Sequence, residues 1–258
     1  MPTRSTEDEV AVSQSSSIAK AIIIGAVIIA LSNLVGSGVI KPKGGSAALV
    51  PQASSVPQAA APAPPAAPTT ATASVGHFPI KGDKNAKIAV IEFADFRCPF
   101  CEKYFTDTAP QIMKNYVDTG KVKYAFRHYQ FLGPASVTAG NAAECANDQG
   151  KFWDYHDYLY KNQPSESDTS MYVSDKLTTV ATTIGVNASQ FKSCLDSTKF
   201  AQNVTADMND GQTAGVSGTP SFVIGKLDSA GTKVINGKLL VGAQPYASFQ
   251  AAIDSLLQ

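Results

Sequence analysis

The chain has 258 residues, 44% apolar and 16% charged, which excludes a wholly disordered chain and one that lies entirely within a membrane. Its 21 basic and 21 acidic residues leave no net charge. Because a nucleic-acid-binding protein usually carries a basic excess, the composition argues against nucleic acid as a partner. All aromatic residues and all four cysteines lie from Phe78 onward, which predicts one folded domain over residues 77–258.

The chain before this domain falls into three zones of different composition. Residues 1–20 are polar and serine-rich, and we expect a disordered leader. Residues 21–40 carry no charge and eleven isoleucine, leucine or valine residues, enough for a helix to cross the ~30 Å hydrocarbon core of a membrane. The long leader favours a retained transmembrane anchor, and a cleaved signal segment is the alternative. Residues 41–76 are rich in proline and alanine and predict a linker.

The domain begins with a strand that leads into a reactive turn. Residues 87–93 (KIAVIEF) are apolar on both faces, which is typical of a strand in the middle of a sheet. Because Pro99 suits the first position of a helix, we predict that Cys98 is the N-cap and that Cys101 lies one turn further. The helix dipole and the free N–H groups at this end favour a Cys98 thiolate, the nucleophile of disulfide exchange.

The same Cys-x-x-Cys spacing also forms half of many zinc sites. The other cysteines, Cys145 and Cys194, are isolated from each other in the sequence, and the three histidines are scattered. We therefore predict redox exchange and no bound metal. A zinc site and an inert buried pair are the alternatives.

Three motifs in a fixed order resemble one known family. They are VIEFADFRCPFCEKYF (residues 90–105), NAAECANDQGKFWDYH (141–156) and GTPSF (218–222). Together they resemble the DsbA-like thiol–disulfide oxidoreductases of the thioredoxin superfamily, over essentially the whole predicted domain. The resemblance implies an α/β thioredoxin fold with a helical insertion, at about residues 134–212, between the β-α-β and β-β-α halves.

The remaining patterns predict the same order of elements independently. A strand is predicted at residues 121–127, and the helical patterns that follow lie at 135–147, 152–160, 173–184, 188–195 and 200–212. Two strands at 221–224 and 233–241 and a helix at 246–257 complete the chain.

The resemblance also implies roles for three residues outside the cysteine pair. Pro220 would be a cis-proline facing the disulfide, so that the backbone of Thr219 turns outward to pair with a substrate strand. An ordinary trans turn is the alternative. Glu92 interrupts an apolar strand, and burial there would raise its pKa. In the family the matching glutamate takes the proton from the second cysteine, here Cys101. An edge-strand Glu92 that reaches water is the alternative.

Neighbouring residues are expected to tune the redox pair. Phe100 stands where the best-known family motif has histidine, which implies a weaker oxidant, because phenylalanine cannot donate a hydrogen bond to the Cys98 thiolate. Pro99 sets the start of the helix. Arg97 either supplies compensating positive charge or points into solvent. The direction of electron flow therefore stays open between an oxidase and an isomerase or reductase.

Four cysteines suggest one redox pair and one structural disulfide, Cys145–Cys194, with two buried free thiols as the alternative. A structural disulfide would place the domain on the extracytoplasmic side of the cell membrane, periplasmic or extracellular.

The leading hypothesis is a monomeric, membrane-tethered oxidoreductase that needs no cofactor and forms disulfides in cysteine-containing secreted proteins. A quinone-linked membrane thiol oxidase would reoxidise the pair, as the resemblance implies. The alternatives are a disulfide isomerase or reductase kept reduced, and a non-catalytic peptide-binding chaperone.

Overall fold

The computed structural model describes residues 69–258. The predicted leader, the apolar segment at 21–40 and the linker as far as residue 68 lie outside these residues. Within the described part, no helix is both long and apolar enough to cross a membrane. The strands are β1 (Thr70–Ser74), β2 (Ile88–Ala94), β3 (Val122–His128), β4 (Ser221–Lys226) and β5 (Lys233–Val241).

Helices form most of the remaining chain. They are α1 (Pro99–Asp107), α2 (Ala109–Ile112) with a π-helical continuation (Met113–Val117), α3 (Pro134–Asn147), α4 (Phe152–Lys161), α5 (Ser174–Thr183), α6 (Ala188–Asp196), α7 (Ala201–Thr213) and α8 (Tyr246–Leu257), with a short 3₁₀ turn at Ser170–Tyr172.

The five strands form one mixed sheet in the order β1-β5-β4-β2-β3. β2 runs parallel to β3 and antiparallel to β4. All seven residues of β2 are buried, because the strand has neighbours on both sides and packed residues on both faces. On one face, Val90 and Phe222 share a core with Phe249 of α8. On the other, Ile91 and Val223 share a second core.

The helices α3 to α7 lie between β3 and β4 in the chain, and α3 to α6 share an apolar core. That core is continuous with Phe96 and both cysteines of the reactive turn. The predicted fold class is confirmed: this is a thioredoxin fold with a helical insertion between its β-α-β and β-β-α halves.

A disulfide joins Cys145 of α3 to Cys194 of α6, with the two Cα atoms 5.9 Å apart and a sequence separation of 49. Closing a loop of this size stabilises a fold by about 4 kcal/mol in the chain-entropy model. The bond therefore ties together two helices of the insertion.

One boundary differs from the one that the sequence predicts, and one helix is interrupted. The linker is predicted to reach residue 76, but Thr70–Ser74 form β1 against β5. This is possible because the last proline of the linker is residue 68 and the small side chains of Ala71 and Ala73 fit into the sheet core. The helix that begins at Pro99 breaks at Thr108. Pro110 explains the break, because it has no N–H to donate to the preceding turn.

Candidate active site

The turn after β2 places the two cysteines at the start of α1. The backbone of Cys98 is extended, and its carbonyl accepts hydrogen bonds from the N–H groups of Cys101 (3.0 Å) and Glu102 (3.2 Å). Cys98 is thus the N-cap, and Pro99 takes the first helical position. Both cysteines are free thiols with little exposure, 4% for Cys98 and none for Cys101.

The pKa of Cys98 is lowered to about 6. A hydrogen bond from the Cys101 thiol is the largest cause, and the N–H groups of Cys101 and Phe100 add to it. Burial opposes these donors. Because the N–H groups belong to the first turn of a helix, the helix start stabilises the anion. Cys98 is therefore largely a thiolate at neutral pH.

Cys101 has the opposite acidity. Burial raises its pKa well above the usual range, and the hydrogen bond to Cys98 and the charges of Cys98 and Glu92 raise it further. One sulfur of the pair thus carries the negative charge while the other keeps its proton. Disulfide exchange needs such a division between a nucleophile and a second thiol that is released or resolved later.

Glu92 is 2% exposed on β2, between β3 and β4, so it is not an edge-strand residue. Burial raises its pKa to about 7, while a hydrogen bond donated by the Tyr124 hydroxyl and the charge of Lys81 oppose the rise. A carboxyl group in this range exchanges its proton near neutral pH, as a general acid or base must.

A cavity of about 540 Å³ reaches Glu92 from the surface. It lies between the α1–α2 segment and α4, and aromatic side chains of Tyr104, Tyr124 and Trp153 line it. Lys161, whose side chain is 64% exposed, lines the same cavity. Since the space holds several water molecules, the buried carboxyl has a route to solvent protons.

The peptide bond between Thr219 and Pro220 is cis, immediately before β4. When it is protonated, the Cys98 thiol donates a hydrogen bond to the Thr219 carbonyl, 3.3 Å from the sulfur. The Thr219 hydroxyl is buried and has no hydrogen-bond partner among the described residues. The structure thus brings Thr219, the residue before the cis-proline, to the cysteine pair, although 121 positions separate it from Cys98 in the chain.

The neighbours of the pair occupy different environments. The Phe100 ring is 61% exposed on the first turn of α1. Arg97, by contrast, is only 7% exposed. The alternative in which Arg97 points into solvent is therefore wrong. Its guanidinium donates to the carbonyl groups of Leu132 (2.5 Å) and Glu166 (2.6 Å), because two loops bring these acceptors beside the turn. The positive charge of the Arg97 guanidinium therefore lies against two backbone carbonyl groups.

Sequence reasoning misses three residues that hold the reactive turn. The Asp95 carboxylate accepts backbone N–H groups of this turn and of the β3–α3 loop. Gln163 and Tyr172 donate to the Phe96 carbonyl at 2.7 and 3.1 Å. An acidic residue directly after an apolar strand is a signal for Asp95. No sequence signal points to Gln163 and Tyr172, because they lie 67 and 76 positions away from Phe96 in the chain.

Within residues 69–258, no three histidine, cysteine, aspartate or glutamate side chains are grouped as a metal site requires. The disulfide already uses Cys145 and Cys194. The described part of the chain therefore gives the zinc alternative no ligand set.

Opposite acidities in neighbouring cysteines serve exchange between thiols and disulfides, and this chain is a thiol–disulfide oxidoreductase of the thioredoxin fold. Residues 75–255 match the protein-family model described as Thioredoxin. The chain belongs to this family and is a DsbA-like member of the thioredoxin superfamily, which confirms the predicted resemblance.

Several known proteins are similar to the chain. Disulfide bond formation protein D of Bacillus subtilis is 31% identical over 149 residues, which cover 57% of this chain and 67% of that protein. Probable disulfide bond formation protein D of Bacillus cereus is 33% identical over 183 residues, which cover 69% of this chain and 77% of that protein. Crystalline oxidised BdbD of Bacillus subtilis aligns with a TM-score of 0.65 and 26% identity over 73% of this chain and 97% of its own.

The α-DsbA1 structure from Wolbachia pipientis aligns with a TM-score of 0.60 over 69% of this chain and 89% of its own. Its identity is 23%, so this likeness concerns the fold alone.

Proposed function

We propose that the protein introduces disulfide bonds into cysteine-containing secreted proteins. The observation that carries the proposal is the stabilised thiolate of Cys98 beside the protonated thiol of Cys101. Stabilising one thiolate favours the reduced pair, so the oxidised pair tends to accept electrons from substrate thiols. The names of the Bacillus relatives, which refer to disulfide bond formation, support the same direction.

In the proposed reaction, a substrate thiolate attacks the Cys98 sulfur of the Cys98–Cys101 disulfide. A bond forms between the substrate sulfur and Cys98, and the electron pair of the broken bond goes to Cys101. Glu92, with a pKa near 7, supplies the proton that the buried Cys101 sulfur needs. A second substrate thiolate then attacks the first substrate sulfur, which leaves a substrate disulfide and the Cys98 thiolate. Two electrons have moved from the substrate to the enzyme.

The turn at Thr219 and Pro220 is the proposed docking point for the substrate chain. The Thr219 backbone lies against the Cys98 sulfur, with its carbonyl 3.3 Å away. A substrate segment that pairs with this backbone as an added strand would bring its own cysteine to Cys98.

We further propose that residues 21–40 anchor the chain in the cell membrane and that the domain lies on the extracytoplasmic side. The Cys145–Cys194 disulfide supports this location, because structural disulfides persist in oxidising compartments. A quinone-linked membrane thiol oxidase is the proposed acceptor of the electrons. Mass spectrometry of the purified mature chain tests the anchor, and a terminus that begins after residue 36 would contradict it.

Phe100 supports a second candidate function, that of an isomerase or reductase kept reduced. The ring next to Cys98 is exposed and offers no hydrogen-bond donor, so the thiolate lacks one means of stabilisation.

The reduction potential of the Cys98–Cys101 pair separates the proposed oxidase from a reductase. Thioredoxin, a reductant, has a potential of about −270 mV and a thiolate pKa of about 7, while the oxidant DsbA has about −120 mV and about 3.5. With a Cys98 pKa of about 6, we expect a value between these limits, together with oxidative refolding of a reduced substrate protein. A potential at or below that of thioredoxin, with rapid reduction of insulin, would instead establish the reductase.

A further inference from the structure

Asp95 is a fully buried carboxylate that the exchange reaction proposed above does not use. Its Oδ1 atom accepts the backbone N–H of Arg97 at 2.8 Å. Its Oδ2 atom accepts the N–H groups of Phe131 and Leu132 at 3.1 and 3.2 Å. The carboxylate thus joins the reactive turn to the β3–α3 loop, at residues 36 and 37 positions further along the chain.

The Arg97 side chain also connects the reactive turn to the β3–α3 loop. Leu132 gives its N–H to Asp95, and its carbonyl accepts a hydrogen bond from the Arg97 guanidinium. A second guanidinium nitrogen donates to the Glu166 carbonyl at 2.6 Å. Since Arg97 is itself bonded to Asp95 through its backbone N–H, the three residues Asp95, Arg97 and Leu132 form a closed ring of hydrogen bonds.

The backbone of the reactive turn has few bonds of its own. Cys98 donates its N–H to the Asp95 carbonyl at 3.1 Å. The Phe96 carbonyl is held by donors from outside the turn, Gln163 and Tyr172. The conformation of residues 95–98 therefore depends on side-chain bonds, and the Asp95 carboxylate makes three of them.

We propose that Asp95 is a positioning residue for thiol–disulfide exchange, because its carboxylate fixes the turn that holds the Cys98 sulfur against its hydrogen-bond donors. These donors are the N–H groups of the first turn of α1 and the Cys101 thiol. The inference rests on the proposed role of Cys98 as the nucleophile.

The chemistry of the carboxylate explains why an amide cannot replace it. Two carboxylate oxygens together accept three N–H groups here. Asparagine has one accepting oxygen, and its NH₂ group would face an N–H donor. At least one of the bonds to Arg97, Phe131 or Leu132 must then break, and the turn relaxes.

The test compares the acidity of Cys98 in reduced wild-type protein and in Asp95→Asn. The rate of alkylation of Cys98 against pH has its midpoint at the thiol pKa, about 6 in the wild type. We expect the midpoint to rise by about one unit in the variant, which is a tenfold smaller ratio of thiolate to thiol. The reduction potential should become more negative. A variant that loses thermal stability but keeps the wild-type midpoint and potential would overturn the proposal.

Asp207→Asn is the matched control. Asp207 on α7 is also a buried carboxylate, 2% exposed, and accepts the backbone N–H of His128 (2.9 Å) and the Nε–H of Arg127 (2.7 Å). We expect its replacement to lower the melting temperature and leave the Cys98 midpoint in place. An equal shift in both variants would overturn the proposal, because it would mean a general loosening of the domain.

Arg97→Lys gives a second route if Asp95→Asn does not fold. An ammonium cannot bridge the carbonyl groups of Leu132 and Glu166 as the planar guanidinium does. We expect a midpoint shift in the same direction, and a folded Arg97→Lys protein with an unchanged midpoint would contradict the positioning role. Wild-type protein that exchanges no disulfides would instead contradict the proposed function, whatever the midpoints are.

Discussion

At the scale of single residues, the two cysteines differ because hydrogen-bond donors lower the pKa of Cys98, whereas burial and the hydrogen bond to Cys98 raise the pKa of Cys101. We predict that Cys101→Ser keeps a reactive Cys98 thiolate and accumulates mixed disulfides with substrate proteins, because no second thiol can release them. Cys98→Ser should accumulate none. Non-reducing gel electrophoresis after incubation with a reduced substrate measures both. Mixed disulfides in Cys98→Ser and none in Cys101→Ser would reverse the assignment of the nucleophile.

Glu92 should make the stability of the domain depend on pH. Its pKa is about 7 in the folded chain against an ordinary value of 4.5, so the folded state binds the proton more tightly than the unfolded state. Stability therefore falls as pH rises from 4.5 to 7, by about 3 kcal/mol at most. Glu92→Gln, which has no charge to desolvate, should remove this loss.

Urea unfolding of the oxidised wild type and of Glu92→Gln at pH 4.5 and pH 8 checks this prediction, and the oxidised form keeps the active-site thiols out of the titration. We expect similar stabilities at the lower pH and a more stable variant at the higher pH. A gain of equal size at both pH values would show that packing, and not ionisation, separates the two proteins.

At the scale of elements, the sequence predicts the strands and helices whose structure depends on residues that are neighbours in the chain. The run KIAVIEF predicts a strand with two partners, and Pro99 predicts the start of α1, because burial and backbone geometry are encoded within a few residues. The sequence does not predict β1, because two short alanine side chains beside a proline-rich stretch give only a weak strand signal until β5 pairs with them. Gln163 was missed for a similar reason, because its acceptors lie in a distant segment.

The Cys145–Cys194 disulfide links α3 and α6, away from the redox pair in the sequence, and its two residues are 1% and 8% exposed. We predict that mild dithiothreitol followed by alkylation labels only Cys98 and Cys101. The double variant Cys145→Ser, Cys194→Ser should lose up to about 4 kcal/mol of unfolding free energy in the chain-entropy model. The Cys98→Ser, Cys101→Ser double variant is the control for loss of a thiol pair. Labelling of all four cysteines without reductant would contradict the bond in the purified protein.

At the scale of the whole molecule, the redox state and the stability of the fold are two sides of one equilibrium. Only the reduced protein has a Cys98 thiolate, and its pKa of about 6 lies below the ordinary value of 9.0. The folded state therefore releases this proton more readily than the unfolded state, and the reduced form gains stability as pH rises above 6. The oxidised form has no titrating Cys98 thiol, whereas Glu92 is present in both the reduced and the oxidised forms.

We therefore predict that the stability of the reduced form relative to the oxidised form rises by about 3 kcal/mol between pH 5 and pH 8. Urea unfolding of both redox forms at the two pH values measures the difference. Cys98→Ser, which keeps Cys101 but has no thiolate at the helix start and forms no active-site disulfide, should show no comparable rise relative to the oxidised wild type. A difference that stays constant or falls with pH would mean that the fold does not stabilise the thiolate, and the driving force proposed for oxidising substrates would be absent.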